Sequence, residues 1–362
     1  MAAVSCICRT HGGQIPLYLI GRRLWGNRGH KARQTVTAPP CLDSFLPRLF
    51  FSSLSGRVVV AAGAATGIGE ALTRLLVSHG AHVYFGDINI EAGNALQQEL
   101  SGSLQGSATF VKSDVQEYTE LYTLFRKAYD QHGYVDHAVY CAGLLEKGRY
   151  LNDTSLTVDT VGDNPGDLSA LDVNLIGAAR FTRLAVVFLQ EKQQEQPENK
   201  SITLLSSIGA IRDSPGVPLY QTSKVGVLGL LRGMRHLPFA VPQGSATTPR
   251  VRVNVICPGV TDTPMTAHLL PHFKASGGRA HWQTAEAVAE VIVGVMVGGT
   301  DGGKEQILLA GKSLYVEAGK AFEIEDGLQR ERPAWLGQEP ERMLTENRDF
   351  IKSIGGIRKK GE

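Results

Sequence analysis

The sequence lacks any long run of apolar residues. Among its 362 residues no stretch approaches the roughly 18–20 consecutive apolar side chains that a membrane-spanning helix needs, and the longest N-terminal apolar stretch, residues 15–20, contains Pro16. We therefore expect no membrane span. No charged segment precedes an adequate apolar core at the N-terminus, so the pattern of a secretory signal peptide is also missing.

Cysteine is scarce. There are five cysteines, an odd number, and three of them lie within the first 41 residues. Cys141 and Cys257 each end an apolar, strand-like run, which is typical of buried free thiols in a reducing compartment, and we expect a cytoplasmic protein. Cys6 and Cys8 have no matching second pair of ligands, so we expect no metal site.

Positive charge is concentrated at the N-terminus. Residues 1–50 contain seven Lys and Arg against one acidic residue, Asp43, whereas the rest contains 30 basic and 34 acidic residues. The mildly acidic body argues against nucleic-acid binding. Residues 1–54 have the composition of a mitochondrial transit peptide, which would make the protein mitochondrial. Gly and Pro interrupt their helical spacing, however, so a disordered extension or a wrongly assigned start fits them too.

From Gly56 onwards short β-branched runs alternate with helical segments. The pattern predicts strands at residues 57–62, 82–87, 108–113, 135–141, 202–206, 251–257 and 306–310. Such alternation implies right-handed crossovers and a doubly wound α/β domain, a seven-stranded parallel sheet with helices on both faces. We assign this single domain to residues 55–325 and describe residues 326–362 as a charged C-terminal tail.

A glycine-rich turn follows the first predicted strand. Gly63 permits a tight turn, Gly67 lets the backbone approach a pyrophosphate, and Gly69 lets the next helix pack closely on the sheet. The helix N-terminus offers N–H groups and a positive dipole end to phosphates. Because the glycines stand after a strand and before a helix, they predict dinucleotide binding.

Tyr220 and Lys224 are four residues apart and share one helix face. An ammonium beside a phenol favours the phenolate, so we expect a lowered tyrosine pKa and a general base for an alcohol. Ser207 lies thirteen residues upstream, after the apolar run 202–205.

Together these motifs resemble the short-chain dehydrogenase/reductase family, a Rossmann-type fold, over roughly residues 55–320. The glycine turn, the tetrad Asn174, Ser207, Tyr220 and Lys224, and a later Pro-Gly pair occur in that family's order and spacing. The resemblance implies that Tyr220 is the acid/base, that Lys224 holds the nicotinamide ribose, and that Ser207 binds the substrate oxygen. It also implies that Asn174 orients a proton-relay water.

The resemblance assigns the cofactor to NAD and implies the following binding residues: Gly63, Thr66, Gly67, Ile68, Gly69, Asp87, Asp114, Val115, Ala142, Gly143, Tyr220, Lys224, Pro258, Gly259, Val260 and Thr263. Asp87 ends the second strand, where a carboxylate accepts hydrogen bonds from ribose hydroxyls and repels a 2′-phosphate. For Asp114 a helix-capping role is an alternative to contact with adenine. Val260 is expected to pair with the carboxamide, and Thr263 to cap the next segment or touch the pyrophosphate.

One motif departs from the family's usual pattern, and a later segment indicates the type of substrate. Where the family usually has Asn-Asn-Ala-Gly, this chain has Tyr140-Cys141-Ala142-Gly143, so a thiol replaces an amide that ties neighbouring strands. The expected lid, residues 264–283, contains Met265, Leu269, Leu270 and Phe273, which favour an apolar, bulky substrate. Its three histidines lack a supporting carboxylate constellation and are expected to be solvated or to contact substrate.

We predict an NAD-dependent enzyme that interconverts a secondary alcohol and a ketone. The chain is most similar to the 15-hydroxyprostaglandin dehydrogenase-like group and to its fungal members that act in secondary metabolism. The alternatives are an NADP-dependent ketoreductase, and a non-catalytic NAD sensor or scaffold on the same fold. The expected partner is a small alcohol or ketone, and the family implies a homodimer or homotetramer formed through the helices that hold Asn174 and Tyr220.

Overall fold

One mostly parallel sheet organises the chain. The structure, a computed structural model, describes residues 53–103, 105–191, 199–242, 249–300 and 306–354. The strands are β1 (Val58–Ala62), β2 (His82–Asp87), β3 (Ser107–Lys112), β4 (His137–Tyr140), β5 (Ser201–Leu205), β6 (Arg252–Pro258), β7 (Ser313–Glu317) and β8 (Lys320–Glu323). They form one sheet in the order β8-β7-β6-β5-β4-β1-β2-β3.

Helices cover both faces of this sheet. They are α1 (Gly67–Ser78), α2 (Ile90–Leu100), α3 (Tyr118–His132), α4 (Ser169–Leu171, then a π-helical segment Asp172–Gly177, then Ala178–Gln190), α5 (Pro218–Met234), α6 (Ala285–Val297), α7 (Glu325–Leu336) and α8 (Gln338–Ser353). α1, α2 and α6 contribute to one core, and α3, α4 and α5 to the other. In the part of the chain described, no helix is both long enough and apolar enough to cross a membrane.

The central strands are buried over their whole length, which explains their continuous apolar runs. Every residue of β1, β5 and β6 is buried, as expected where helices cover a parallel sheet on both sides. Successive side chains point to opposite faces. Val59 and Ala61 therefore join the core under α1 and α6, while Val58 and Val60 join the core under α3 to α5.

The strand order reverses next to β1. β1 pairs in parallel with β2 on one side and with β4 on the other, so the connections leaving β1 and β4 run in opposite directions. In doubly wound sheets the ligand crevice opens at the carboxyl ends of such a strand pair. The predicted glycine turn and the Ala142-Gly143 pair both lie at this edge.

The predicted seventh strand at residues 306–310 is wrong. Gln306–Ile307 instead pairs antiparallel with Gly299–Thr300, outside the main sheet. The place beside β6 is taken by β7. Next to β6, the carbonyl of Leu309 is bound by side chains: Arg252 and Asn254 both donate to it (2.8 Å each). This segment therefore does not pair with β6 as a strand.

The sheet also has eight strands rather than seven. β8 runs antiparallel to β7 and forms the edge of the sheet. The two are joined by Ala318 and Gly319, both with positive φ (50° and 74°), as in the two-residue hairpin turns that match strand twist. The sequence hides this hairpin because alanine, unlike Asn or Asp, is rarely found at such a φ.

The composition of the sequence predicts that the N-terminal and C-terminal segments lie outside the α/β domain. Residues 1–52 of the basic N-terminal segment lie outside the described residues. In the charged C-terminal segment the structure shows two consecutive helices, α7 and α8.

Candidate active site

The glycine turn brings the backbones that follow β1 and β4 into contact. A Cβ on Gly63 would lie 2.3 Å from both Cα and N of Ala142, and Gly63 has φ +71°. No other residue fits there. The N-cap residue of α1, Thr66, makes no side-chain capping bond, so N–H groups of the first turn remain available to phosphate oxygens. Ile68 in this turn packs on the core under α1. The crevice therefore fits a dinucleotide pyrophosphate.

Asp87 braces the same turn. One carboxylate oxygen accepts from the N–H of Ala65 (3.1 Å) and the other from the N–H of Asn89 (3.0 Å). The carboxylate is thereby held at the end of β2, beside the glycine turn, where each oxygen keeps a lone pair for a ribose hydroxyl. The exposed residues Ile88 and Ile90 beside it are apolar, not basic.

Asp114 and Val115 follow β3. A carboxylate oxygen of Asp114 accepts from the N–H of Gln116 (2.9 Å), which stabilises the turn before α3, although the N-cap of α3 itself is Glu117. Val115 is buried and lies within 3.0 Å of the Cβ that Gly177 would carry. Both residues lie beside the crevice at the carboxyl end of β3.

Three of the four predicted catalytic residues meet next to Gly143. A Cβ on Gly143 would lie 3.2 Å from Lys224 Nζ and 3.3 Å from Asn174 Oδ1, so both side chains pack closely against this glycine. Lys224 Nζ lies 5.7 Å from the centroid of the Tyr220 ring and donates to the carbonyl of Leu205 (3.3 Å). The structure thus assembles these groups at the crevice.

The proton affinities differ from the expectation of a lowered tyrosine pKa. Burial raises the pKa of Tyr220, and a hydrogen bond with Ser207 only partly opposes this. Burial also lowers the pKa of Lys224 to about 8. The physical reason is desolvation, since loss of water disfavours the charged form of each group, the phenolate of Tyr220 and the ammonium of Lys224.

The two serines at the end of β5, Ser206 and Ser207, make different contacts. Ser206 donates to the main-chain carbonyl of Lys224 (2.7 Å), which ties β5 to the catalytic helix. Ser207 accepts from the N–H of Gly209 (3.1 Å) and caps a short 3₁₀ turn. Ser207 is therefore the serine whose side chain lies beside the Tyr220 phenol.

Asn174 lies in the π-helical segment of α4 and is fully buried. Its amide accepts from the N–H of Leu144 (2.8 Å), donates to the Leu144 carbonyl (2.9 Å) and donates to Ser223 Oγ (2.9 Å). π-Helical turns inside α-helices frequently mark functional sites. Here the turn joins α4, α5 and the loop after β4 through one amide.

Tyr140 supports this arrangement, a role that the sequence reading missed. Its hydroxyl donates to the carbonyl of Val173 (2.6 Å), inside the π segment. The neighbouring Cys141 is a free thiol whose pKa burial raises to about 12. The aromatic residue, rather than the thiol, therefore ties β4 to α4. Its position at the first residue of the altered Asn-Asn-Ala-Gly run was the available clue.

The segment after β6 closes over the glycine turn. Gly259 follows Pro258 and donates its N–H to Val316 (2.7 Å), and Val260 accepts from the N–H of Gln283 (3.0 Å). The Cβ that Gly67 lacks would lie 3.2 Å from Thr263 Cγ2. Thr263 also forms a reciprocal cap with Thr266, which is one of the two roles expected for it.

Residues 264–283 carry a short helix, Leu270–Lys274, whose Leu270 is buried while Leu269 is 38% exposed. Lys274 Nζ lies 4.8 Å from the ring centroid of Trp282. Within the described ranges, no group of three or more His, Cys, Asp or Glu side chains is placed to hold a metal ion.

Comparisons with known proteins agree with this geometry. The short chain dehydrogenase family matches residues 57–273. A short-chain dehydrogenase/reductase of Penicillium roqueforti is 29% identical over 84% of this chain and 86% of its own. The mouse 15-hydroxyprostaglandin dehydrogenase [NAD(+)] is 30% identical over 59% of this chain and 70% of its own.

Among solved structures, a 3-oxoacyl-[acyl-carrier protein] reductase from Brucella melitensis in complex with NAD superimposes with a TM-score of 0.59. It is 25% identical, and the match covers 73% of this chain and 97% of that one. The chain belongs to the short-chain dehydrogenase family.

Proposed function

We propose that this protein is an NAD-dependent oxidoreductase that interconverts a secondary alcohol and a ketone. The observation that carries the proposal is the meeting of Lys224 and Asn174 at Gly143, with Tyr220 and Ser207 beside them, at the edge where the glycine turn lies. A phenol, an ammonium and a hydroxyl grouped at a dinucleotide crevice suit alcohol oxidation better than other chemistry.

The preference for NAD over NADP rests on Asp87. Its carboxylate is fixed by two main-chain N–H groups beside the glycine turn, and a fixed negative charge repels a 2′-phosphate while accepting hydrogen bonds from a ribose diol. The family supplies nucleotide-dependent oxidoreductases, and the mouse relative carries NAD(+) in its name.

The residues act in a fixed order during oxidation. Ser207 holds the substrate hydroxyl, and the Tyr220 phenolate takes its proton. Lys224 binds the nicotinamide ribose and relays the proton outward through a water held by Asn174. NAD, held in the crevice by these residues, would supply the acceptor for the hydride that leaves the carbinol carbon. Because burial raises the pKa of Tyr220, the phenol begins protonated, so alcohol oxidation should accelerate as pH rises while ketone reduction should slow.

We propose an apolar, bulky substrate. The short helix of the lid buries Leu270 but leaves Leu269 exposed on its border, which supports an apolar wall over the crevice. We also propose a role in fungal secondary metabolism, and the similarity to a short-chain dehydrogenase/reductase of the fungus Penicillium roqueforti supports the fungal part of this proposal.

A second copy of the chain is the proposed partner. A groove of about 990 Å³ runs between α3, α4 and α5, lined in part by Tyr122, Val187, Phe188 and Met234. Val187 is 61% exposed there. Large exposed apolar surfaces mark protein interfaces, so light scattering on the purified protein should give the mass of a dimer or tetramer.

To test the function, we would titrate the full chain with NADH and with NADPH and measure binding of each nucleotide by fluorescence. We expect tighter NADH binding and NAD-dependent oxidation of secondary alcohols. Tyr220→Phe is the matched variant, which should keep NADH binding and lose about 100- to 10,000-fold in kcat. If folded protein binds neither nucleotide, the proposal is wrong. Full activity in the Tyr220→Phe variant would exclude the assigned acid/base.

A further inference from the structure

The catalytic helix α5 begins without a local cap. Its N-cap residue, Val217, makes no side-chain capping bond, and Pro218 in the first position has no N–H. Val217 donates its own N–H to the carbonyl of Ser214 (3.4 Å). By helix geometry the N–H groups of Leu219 and Tyr220 have no carbonyl inside the helix to accept them.

One distant carboxylate accepts both of these N–H groups. Glu146 Oε2 lies 2.6 Å from the N of Leu219 and 3.1 Å from the N of Tyr220, more than 70 residues away along the chain. A negative charge at this end of a helix is also favoured by the helix dipole. The first turn of α5, including the backbone of Tyr220, is therefore held by Glu146.

Glu146 ends a short segment that contacts three of the four catalytic residues. Gly143 lies against Lys224 and Asn174, and Leu144 exchanges two hydrogen bonds with the Asn174 amide. The segment 143–146 thus links the nicotinamide side of the crevice to the start of α5.

We infer that Glu146 is a positioning residue for the hydride-transfer reaction, an inference that rests on the proposed function. In a helix, long side chains lean back towards the N-terminus, so the phenol of Tyr220 lies over the turn that Glu146 caps. Fixing this turn fixes the phenol against Ser207 and Lys224. Glu146 acts through the backbone of Tyr220 and takes no proton in the reaction.

The second carboxylate oxygen of Glu146 makes the residue less important for stability than for the position of Tyr220. Oε1 is buried without a hydrogen-bond partner among the described residues, and a buried acceptor left unpaired is destabilising. This cost offsets much of what the cap contributes to the free energy of unfolding. The unpaired Oε1 does not weaken the contact by which Glu146 positions the backbone of Tyr220. Loss of Glu146 should therefore lower turnover more than it lowers the free energy of unfolding.

The experiment uses the full chain with two variants at Glu146 and one control. Glu146→Ala should lower kcat with NAD and a secondary alcohol about 10- to 100-fold, because small misplacements of a catalytic group are this costly, and should leave the KM for NAD unchanged. Glu146→Gln should restore most of kcat, since its amide oxygen still accepts both N–H groups.

The control is Glu323→Ala. Glu323 accepts the N–H groups of Glu325 (2.8 Å) and Asp326 (2.9 Å) at the start of α7, so it makes the same kind of cap away from the tetrad, and its loss should leave kcat unchanged. Unchanged kcat in folded Glu146→Ala would overturn the inference. An equal fall in Glu323→Ala, or a Gln variant as impaired as the Ala variant, would overturn it too. A wild-type protein that oxidises no secondary alcohol would instead refute the proposed function, and the inference with it.

Discussion

Replacing Lys224 by methionine should make the cofactor-free protein more stable while removing its activity. Lys224 is only 4% exposed, and its one hydrogen bond in the structure goes to the carbonyl of Leu205 (3.3 Å). Its ammonium is therefore a poorly compensated buried charge. Methionine has a similar length and carries no charge, so Lys224→Met removes this charge and keeps most of the packing.

The magnitude follows from the lysine pKa, which burial lowers from 10.5 to about 8. One pKa unit corresponds to about 1.4 kcal/mol, so at pH 7 the buried ammonium costs about 3 kcal/mol. Leaving the Leu205 carbonyl without a donor costs about 1 kcal/mol in the variant. We therefore expect Lys224→Met to raise the free energy of unfolding by about 2 kcal/mol at pH 7.

The gain should depend on pH. Between pH 8 and 10.5 the unfolded chain binds more protons at this lysine than the folded chain does, so the stability of the wild type rises with pH across this window. The difference in free energy of unfolding between the variant and the wild type should then fall towards zero at about pH 9.5. Urea denaturation at both pH values measures this. A variant less stable than the wild type at pH 7, or parallel pH profiles, would refute the reasoning.

Three further substitutions test other parts of the site. Tyr140→Phe removes the donor to the buried Val173 carbonyl and should lower the free energy of unfolding by about 1–3 kcal/mol in urea. Asp87→Ser removes the charge beside the glycine turn and should shift the ratio of NADPH to NADH affinity about tenfold towards NADPH, or about 1.4 kcal/mol. Glu325→Ala leaves Arg232 of α5 and Arg235, which follows the helix, without their buried acceptor and should lower the free energy of unfolding by about 2–3 kcal/mol, because both arginines are partly exposed.

Each of these has a clear contrary result. An unchanged urea midpoint in Tyr140→Phe would mean that the Val173 carbonyl finds another donor. An Asp87→Ser protein that keeps its affinity ratio would remove the argument for NAD. Glu325→Ala should leave kcat intact, since its contacts lie at the far end of α5 from Tyr220. A fall in kcat would show that α7 influences the active site.

Local patterns predicted most of the elements well. The strand His82–Asp87 was predicted with the bounds that the structure shows, because a short apolar run marks it. The seventh strand was misplaced because the run at 306–310 pairs only at Gln306–Ile307, outside the main sheet, and side chains of β6 donate to the carbonyl of Leu309. No local pattern distinguishes that from strand pairing.

The motif residues were located by spacing, but their electrostatics were not. The spacing of four positions from Tyr220 to Lys224 predicts a shared helix face, and the ring centroid and Nζ do lie 5.7 Å apart. The direction of the tyrosine pKa depends on how much water burial removes. Burial is a property of the whole fold, so the spacing alone led to the opposite sign.

The sequence by itself determined the order of the first six strands, the glycine turn and the four residues that match the tetrad motif, because these depend on residue type and on short, regular spacing. Only the tertiary structure decided that Tyr140 supports the π segment of α4 and that Glu146 caps the catalytic helix. Both contacts join residues 33 to 74 positions apart. Contacts of that kind exist only once the parallel sheet has brought the carboxyl ends of its strands to one edge.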